Sequence, residues 1–389
     1  MSCNWVEVPL GDFIELKRGY DLPKSKRVFG DYPIVSSAGT SDYHSEFKVS
    51  SPGVVTGRYG TIGEVFYVEK DFWPLNTTLY VKDFKGNCPE FVYYLLKTFD
   101  FHKYSDKAAV PGVNRNHLHM ELVRVPDSHE SQKQIAEYIS NFDKKVKINQ
   151  ETNQTLEQMA QTIFKSWFVD FDPVKAKMNG EQPEGMDAAI ASLFPEKLVE
   201  SELGLIPDGW EVKPFSEWVK ITKGKNITKK TIVDGDVPVV AGGLKPAYFH
   251  NAHNVDGPAI TISASGANAG YVNLYFENIW ASDCSYISQS TTPLFFLQYV
   301  ALRYNQKKIF DMQTGAAQPH IYPRDFERLM IVVPNEELCR KLEEVFASFF
   351  RTVANNKQQN IDLAALRDTL LPKLLSGEIE LGQSVEVPE

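Results

Sequence analysis

Residues 135–167, IAEYISNFDKKVKINQETNQTLEQMAQTIFKSW, decide the fold. Positions 135, 139, 142, 146, 149, 153, 156, 160, 163 and 167 hold Ile, Ile, Phe, Val, Asn, Asn, Leu, Ala, Ile and Trp. Their steps alternate between four and three, which is the heptad seam of a coiled coil. The stretch 342–374, LEEVFASFFRTVANNKQQNIDLAALRDTLLPKL, repeats the seam 207 residues later as Leu342, Phe346, Phe349, Val353, Asn356, Asn360, Leu363, Arg367, Leu370 and Leu374. A helix of about 38 residues is roughly 57 Å long at 1.5 Å per residue. That is too long to fold back into a domain of ordinary size, so each helix needs a partner. If two equal units are related by a two-fold axis, the helices run antiparallel with Ile135 opposite Leu374. That register sets Asn149 against Asn360 and Asn153 against Asn356, polar beside polar, and the small Ala160 against Phe349. It also sets Phe142 against Arg367, whose guanidinium would lie over the ring. The plain alternative is two amphipathic helices, each packed on its own domain.

Outward from the helices, the chain contains itself twice. Trp5, Pro9 and Gly19 recur 205 residues later as Trp210, Pro214 and Gly224, and Pro33 recurs as Pro238. Phe13, Ile14 and Leu16 meet Trp218, Val219 and Ile221 at the same offset, and Pro126 meets Pro334 at an offset of 208. So small a drift over a whole unit indicates duplication. Within each unit, runs such as GVVTGRYGTIGEVFYV (53–68) and GPAITISASGANAGYVNLYF (257–276) read as strands joined by glycine-rich turns. PEFVYYLLKTF (89–99) and TPLFFLQYVALRY (292–304) carry a helical period. The expected fold class is α+β, with two similar mixed α/β domains joined by two long antiparallel coiled-coil helices in a pseudo-two-fold arrangement. The expected boundaries are 1–129 and 210–336 for the domains, 130–169 and 337–377 for the helices, 170–209 for an acidic linker and 378–389 for an acidic tail.

Composition narrows the class of function. The chain has 389 residues, 43% hydrophobic and 23% charged, which describes a globular protein with room for two or three cores. No apolar run reaches the roughly 18 residues of a membrane span, and the first twenty residues lack a signal-peptide core, so a cytoplasmic location is expected. The net charge of −9 is unevenly spread: residues 181–211 hold eight acids against Lys197, and 378–389 hold four acids and no base. The rest of the chain is therefore +2. Cys3, Cys88, Cys284 and Cys339 form no C-x-x-C pair, which argues against a zinc knuckle or a disulfide framework. Phosphate loops, dinucleotide fingerprints and H-E-x-x-H are missing, and Phe171-Asp172-Pro173-Val174 does not make the tetrapeptide of an amino-methyltransferase. His117 and His119, in a segment resembling a strand, could share a face as metal ligands, but no further ligand stands at a suitable spacing. No metal or catalytic group is assigned, and Cys284 beside Asp283 reads as a plain buried thiol.

A nucleic-acid reading has more to hold. Unit one carries Lys17, Arg18, Lys24, Lys26 and Arg27 against Asp21; unit two carries Lys213, Lys220, Lys223, Lys225, Lys229 and Lys230 against Glu217. Cations at matching places in a repeat suit phosphate contacts, although each cluster alone could be a solvated face. Arg58 and Tyr59 in TGRYGTIG, and Ser265 and Asn268 in SASGANAG, occupy equivalent turns where glycine permits close approach. Asn114, Arg115, His320 and Arg324 complete the candidate set. Such side chains suit base-edge readout.

Three strings carry a family resemblance: Ser201-Glu202-Leu203-Gly204-Leu205-Ile206-Pro207-Asp208-Gly209-Trp210, Leu366 to Ile379 (LRDTLLPKLLSGEI), and Phe168-Val169-Asp170-Phe171-Asp172-Pro173-Val174. With them the chain resembles, over essentially its whole length, the specificity subunit of type I restriction-modification enzymes. The departure of Asn4-Trp5 from the family's usual Gly-Trp is trivial. The resemblance implies a non-catalytic DNA-binding subunit that reads a bipartite double-stranded target and holds two methyltransferase subunits on its helices. Two restriction subunits with translocase and nuclease activity are optional further partners. S-adenosylmethionine, ATP and Mg²⁺ would belong to those partners, with no cofactor in this chain. The competing readings are a coiled-coil adaptor with duplicated protein-binding domains and a self-sufficient DNA enzyme with a degenerate active site.

Overall fold

A computed structural model describes residues 4–104, 112–315 and 318–381. Cys3 and the acidic tail beyond 381 lie outside the described residues. The chain forms two units, residues 1–148 with 359–389, and residues 149–358.

The first unit contains β1 (Trp5–Pro9), α1 (Leu10–Phe13), β2 (Glu15–Arg18), β3 (Tyr32–Ser36), β4 (Gly39–His44), β5 (Gly53–Gly57), β6 (Val65–Val68), β7 (Trp73–Pro74) and β8 (Thr78–Asp83). It continues with α2 (Pro89–Lys97), α3 (Arg115–Met120) and β9 (Leu122–Pro126), and enters the long helix α4 (His129–Phe168). Strands in the order β2-β8-β5-β6 make one sheet, β4-β3-β7 a smaller one with β3 parallel to β7, and β1 pairs with β9. β5 is buried along its length because both its faces are covered. The two-residue period of a strand sends Val54 into a core with Phe91 and Leu95 of α2, and Val55 into a second cluster with Val35, Phe72 and Tyr80.

The second unit opens with the end of α4, then α5 (Asp172–Met178), α6 (Ala188–Ser192) and the hairpin β10 (Leu198–Ser201) and β11 (Gly204–Pro207). There follow β12 (Glu211–Pro214), α7 (Phe215–Trp218), β13 (Thr222–Lys223), β14 (Val237–Val240), β15 (Tyr248–His250), β16 (Ala259–Ser263), β17 (Val272–Tyr275), β18 (Trp280–Ala281) and β19 (Cys284–Ser288). Helices α8 (Phe295–Tyr304) and α9 (Gln306–Asp311), strand β20 (Met330–Val333) and the long helix α10 (Glu336–Ser376) complete the order. The topology repeats that of the first unit: β13-β19-β16-β17, β15-β14-β18 with β14 parallel to β18, and β12 on β20. The stretch 170–209, expected as a linker, is folded. Phe171, Val174, Phe194 and Ile206 are buried with Trp210 in the second unit's main core, while Glu181, Glu184, Glu200 and Glu202 stay exposed.

Each unit uses a segment of both long helices. In the first, Ile135, Ala136 and Ile139 of α4 share a core with Leu371, Leu374 and Leu375 of α10. In the second, Ala160, Phe164 and Phe168 share one with Leu342, Phe346, Phe350 and Val353, and Phe349 packs against it. Residue numbers rise on one helix as they fall on the other, so the segments run antiparallel within each unit. Asn356 donates from Nδ2 to Asn153 Oδ1 at 2.8 Å in the second unit. In the first, Arg367 departs from expectation: its guanidinium pairs with the carboxylates of Asp143 and Asp368 rather than covering Phe142. A fixed carboxylate one residue along offers a guanidinium more than a ring face does. Tyr94 of α2 donates to the same Asp143 at 2.8 Å.

The long helices also satisfy the open N–H groups at the start of each unit's middle helix. Gln132 Oε1 accepts from Cys88 N at 2.9 Å before α2, and Glu343 accepts from Phe296 N and Leu297 N at 3.1 and 2.8 Å in α8. Burial pushes the Glu343 carboxyl up to about 7 against the lowering pull of those two N–H groups and Arg351. The segment with His117 and His119 is helix α3, not a strand, so two residues' spacing turns the rings apart. Among the described residues no cluster of His, Cys, Asp and Glu could hold a metal. Instead His119 Nε2 accepts from Leu16 N at 3.0 Å, and burial holds its pKa below the usual histidine value.

Two measurements check these contacts. The folded Glu343 keeps its proton to higher pH than the unfolded group, so its contribution to stability fades as pH rises from about 4.5 to 7. Glu343→Gln should flatten that slope by on the order of 2 kcal/mol between pH 5 and pH 8 in denaturant titrations; an unchanged slope would contradict the assignment. His119→Ala leaves Leu16 N–H unpaired and should cost about 1–3 kcal/mol, while added zinc should not raise the melting temperature of the parent chain. A zinc-dependent rise would restore the metal reading.

Candidate nucleic-acid interface

The residues singled out in the glycine-rich turns converge on the loops of the larger sheet in each unit. In the first unit Arg58 and Tyr59 leave β5, and a return segment runs beside them: Tyr59 bridges Gly112, and Val113 N donates to Arg58 O at 2.9 Å. Arg18, Arg58, Tyr59, Asn114, Arg115 and Asn116 line a groove of 380 Å³. The Arg58 guanidinium lies 4.4 Å from the Tyr59 ring centre, with Nη2 3.3 Å from the phenol oxygen, so two groups suited to bases are fixed together. Asn114 caps α3, its Oδ1 accepting from Asn116 N at 3.0 Å. Gly112 lets the ring lie against the return segment: a Cβ there would come within 2.2 Å of the Tyr59 ring and displace it.

The second unit builds the same crossing from other side chains. Ser265 bridges His320, and Ile321 N donates to Ala264 O at 3.0 Å, matching the pair Val113 and Arg58. Tyr322 occupies the place of Asn114, ahead of a 3₁₀ turn (Pro323–Arg328) as Asn114 is ahead of α3. Its ring stacks on His320 at 6.0 Å and 11°, with Lys223 and Arg324 placed 6.0 and 5.6 Å from its centre. Ser265 Oγ donates to Asp283, a carboxylate with no acidic counterpart at Thr77, its equivalent in the first unit. Asn268 Nδ2 donates to Gly242 O at 3.4 Å in the neighbouring turn.

The lysine clusters stand on a different part of each unit. Lys24 and Lys26 are exposed in a 3₁₀ turn (Lys24–Lys26) leading towards β3, and Lys225, Lys229 and Lys230 are exposed at and before the equivalent turn (Lys229–Thr231) leading to β14. Arg27 does not join them: it is held at 3.1 Å by Asp42, whose carboxyl is kept below its ordinary pKa by Tyr43 N–H and Arg27. Tyr322 and Asn116 were missing from the candidate set, and Arg18, expected in the basic cluster, lines the groove instead. The repeat offset would have found Tyr322, since it aligns with Asn114 once the crossing of each return segment is known.

Comparison with known proteins likewise finds one domain type twice in the chain. The profile of the family described as type I restriction modification DNA specificity domain matches residues 3–158 and again 207–365. The type I restriction enzyme HindI specificity subunit of Haemophilus influenzae is 27% identical, covering 97% of this chain and all of that protein. The MjaIX specificity subunit of Methanocaldococcus jannaschii is 26% identical over 76% of this chain and 70% of its own. The solved S subunit of a type I restriction-modification system from M. genitalium has the same fold, with a TM-score of 0.59 and 18% identity over 96% of each chain. With the family's domain present twice and accounting for most of its length, the chain belongs to the type I restriction-modification DNA specificity family and carries two recognition domains.

Proposed function

We propose that each unit reads one half of a bipartite duplex target, that α4 and α10 set the unread gap, and that the helices present docking surfaces for two methyltransferase subunits. The observation that supports this most is the crossing described above: one scaffold, built twice, with different polar groups in its mouth. The first groove offers donors from Arg18, Arg58 and Arg115, which suit the acceptors of guanine. The second adds the acceptor Asp283 beside Ser265, which suits an amino group of cytosine or adenine. Two half-sites of different sequence follow. The lysines of the 3₁₀ turns would take phosphates, supplying affinity without sequence preference. Chemistry is assigned to partners: S-adenosylmethionine, ATP and Mg²⁺ to the methyltransferase and, where present, restriction subunits, acting in the cytoplasm.

Charge reversal at Lys225, Lys229 and Lys230 should weaken binding to every duplex and lower the slope of log K against log salt. Arg58→Ala should instead relax the first half-site alone, by about 1–3 kcal/mol for a lost base contact. Electrophoretic shift assays on matched and half-scrambled duplexes separate the two. Equal losses on both duplexes for Arg58→Ala would remove it from base readout, and an unchanged salt slope would remove the lysines from phosphate binding.

A further inference from the structure

Phe29 is the most exposed large apolar side chain among the described residues, at 89% of its full accessibility. A lone exposed ring means little where the loop can fold it away. This loop is clamped on both sides of the ring. Before it, Ser45 N donates to Val28 O at 2.9 Å, and His44 Nδ1 lies 3.1 Å from Val28 N and 2.9 Å from Val28 O. His44 is itself buried edge-on to Trp73, with centroids 5.3 Å apart. After it, Gly30 runs so close to the next strand that a Cβ would come within 2.4 Å of Ser45 Cα. The residue between two fixed points can only project outward. Lys24 and Lys26 stand exposed just before it and outnumber Asp31 on the same loop.

The second unit repeats the clamp piece by piece. Asn251 N donates to Val233 O at 3.0 Å, His250 Nδ1 lies 3.1 Å from both Val233 N and O, and His250 packs edge-on to Trp280 at 5.2 Å. A Cβ on Gly235 would fall 2.5 Å from Asn251 Cα. The residue held out between them is Asp234. An identical mount therefore presents an aromatic ring in one half and a carboxylate in the other.

We propose that Phe29 is a wedge for a DNA base step, entering the stack beside the first half-site while Lys24 and Lys26 hold the flanking phosphates. The ring loses its water and gains two base faces, and the step is kinked. Asp234 repels phosphate and has no ring to insert, so the distortion is confined to the first half-site. The length of β3, about 17 Å at 3.3 Å per residue, separates this loop from the Ser36 end of the strand. At that end Ser37 meets Gly57 and Gly60 of the first groove's turn, so wedge and groove would act within about five base pairs of each other at 3.4 Å each.

This inference rests on the DNA-reading function proposed above. The test uses the isolated full-length chain, so that no partner can unstack a base, on duplexes of the target given by methylome sequencing. The base analogue 2-aminopurine is placed in turn at positions in and beside the first half-site. The parent chain should raise its fluorescence at one step; Phe29→Ala should abolish the rise and weaken binding about tenfold with the salt slope unchanged, and Asp234→Ala should leave the rise in place. A rise that persists in Phe29→Ala, or a bound parent chain that raises no signal at any position, overturns the wedge. A parent chain that does not distinguish the target from a scrambled duplex overturns the underlying DNA-reading function instead.

Discussion

Opposed direction of α4 and α10 is the constraint on which the rest depends. Because the segments run antiparallel inside each unit, neither core is built from one stretch of sequence. Leu371, Leu374 and Leu375, near the far end of the chain, complete the core that begins with Leu10 and Phe13. Ala160 and Phe164 of α4 complete the one that holds Phe346 and Phe350 of α10. An apolar seam alone tolerates sliding by a heptad. Asn153 with Asn356, and Asp143 with Arg367, penalise it, because a slip strands polar groups among apolar ones.

Onto that frame the duplicated units place unlike side chains at like positions. Asn114 and Tyr322 open equivalent turns, Tyr59 and Ser265 make equivalent bridges, and Phe29 and Asp234 fill equivalent clamps. Backbone hydrogen bonds and glycine contacts set the shape, leaving the projecting residues free to differ. This separation of scaffold from reading surface is what a protein needs if it recognises two different short sequences with one fold.

The helices, the duplication and the strand-rich units were legible because each rests on a period or an offset that survives many substitutions. Heptads mark α4 and α10 and bring Asn153 to Asn356; a β-branched run bounded by glycines marks the strand with Val54 and Val55. What was not legible depended on a few residues and the third dimension. Phe171, Val174, Phe194 and Ile206 of the acidic stretch are buried, with Met186, Ile190, Leu193, Leu198 and Val199 packed beside them, and their irregular spacing among prolines and acids gives no period to read. His117-x-His119 alternates like a strand, yet Asn114 supplies a helix cap that outweighs the alternation over so short a segment. Arg58 and Tyr59, two of the six basic and polar residues that line the first groove, were in view from the turn TGRYGTIG, whereas the stack of His320, Tyr322, Lys223 and Arg324 draws on segments about 100 residues apart and appears only when they cross.

The measurement closest to the central claim shortens both helices together. Excising residues 146–152 and 357–363 removes facing heptads, keeps the phase of each seam and leaves Asn153 and Asn356 in place. Each arm loses about 10.5 Å at 1.5 Å per residue, which corresponds to about three base pairs at 3.4 Å each. Methylome sequencing of cells carrying this variant with its methyltransferase should show both half-sites unchanged and the unread gap contracted by about that amount. An unchanged gap in a folded, active variant, or a new half-site, would contradict the account.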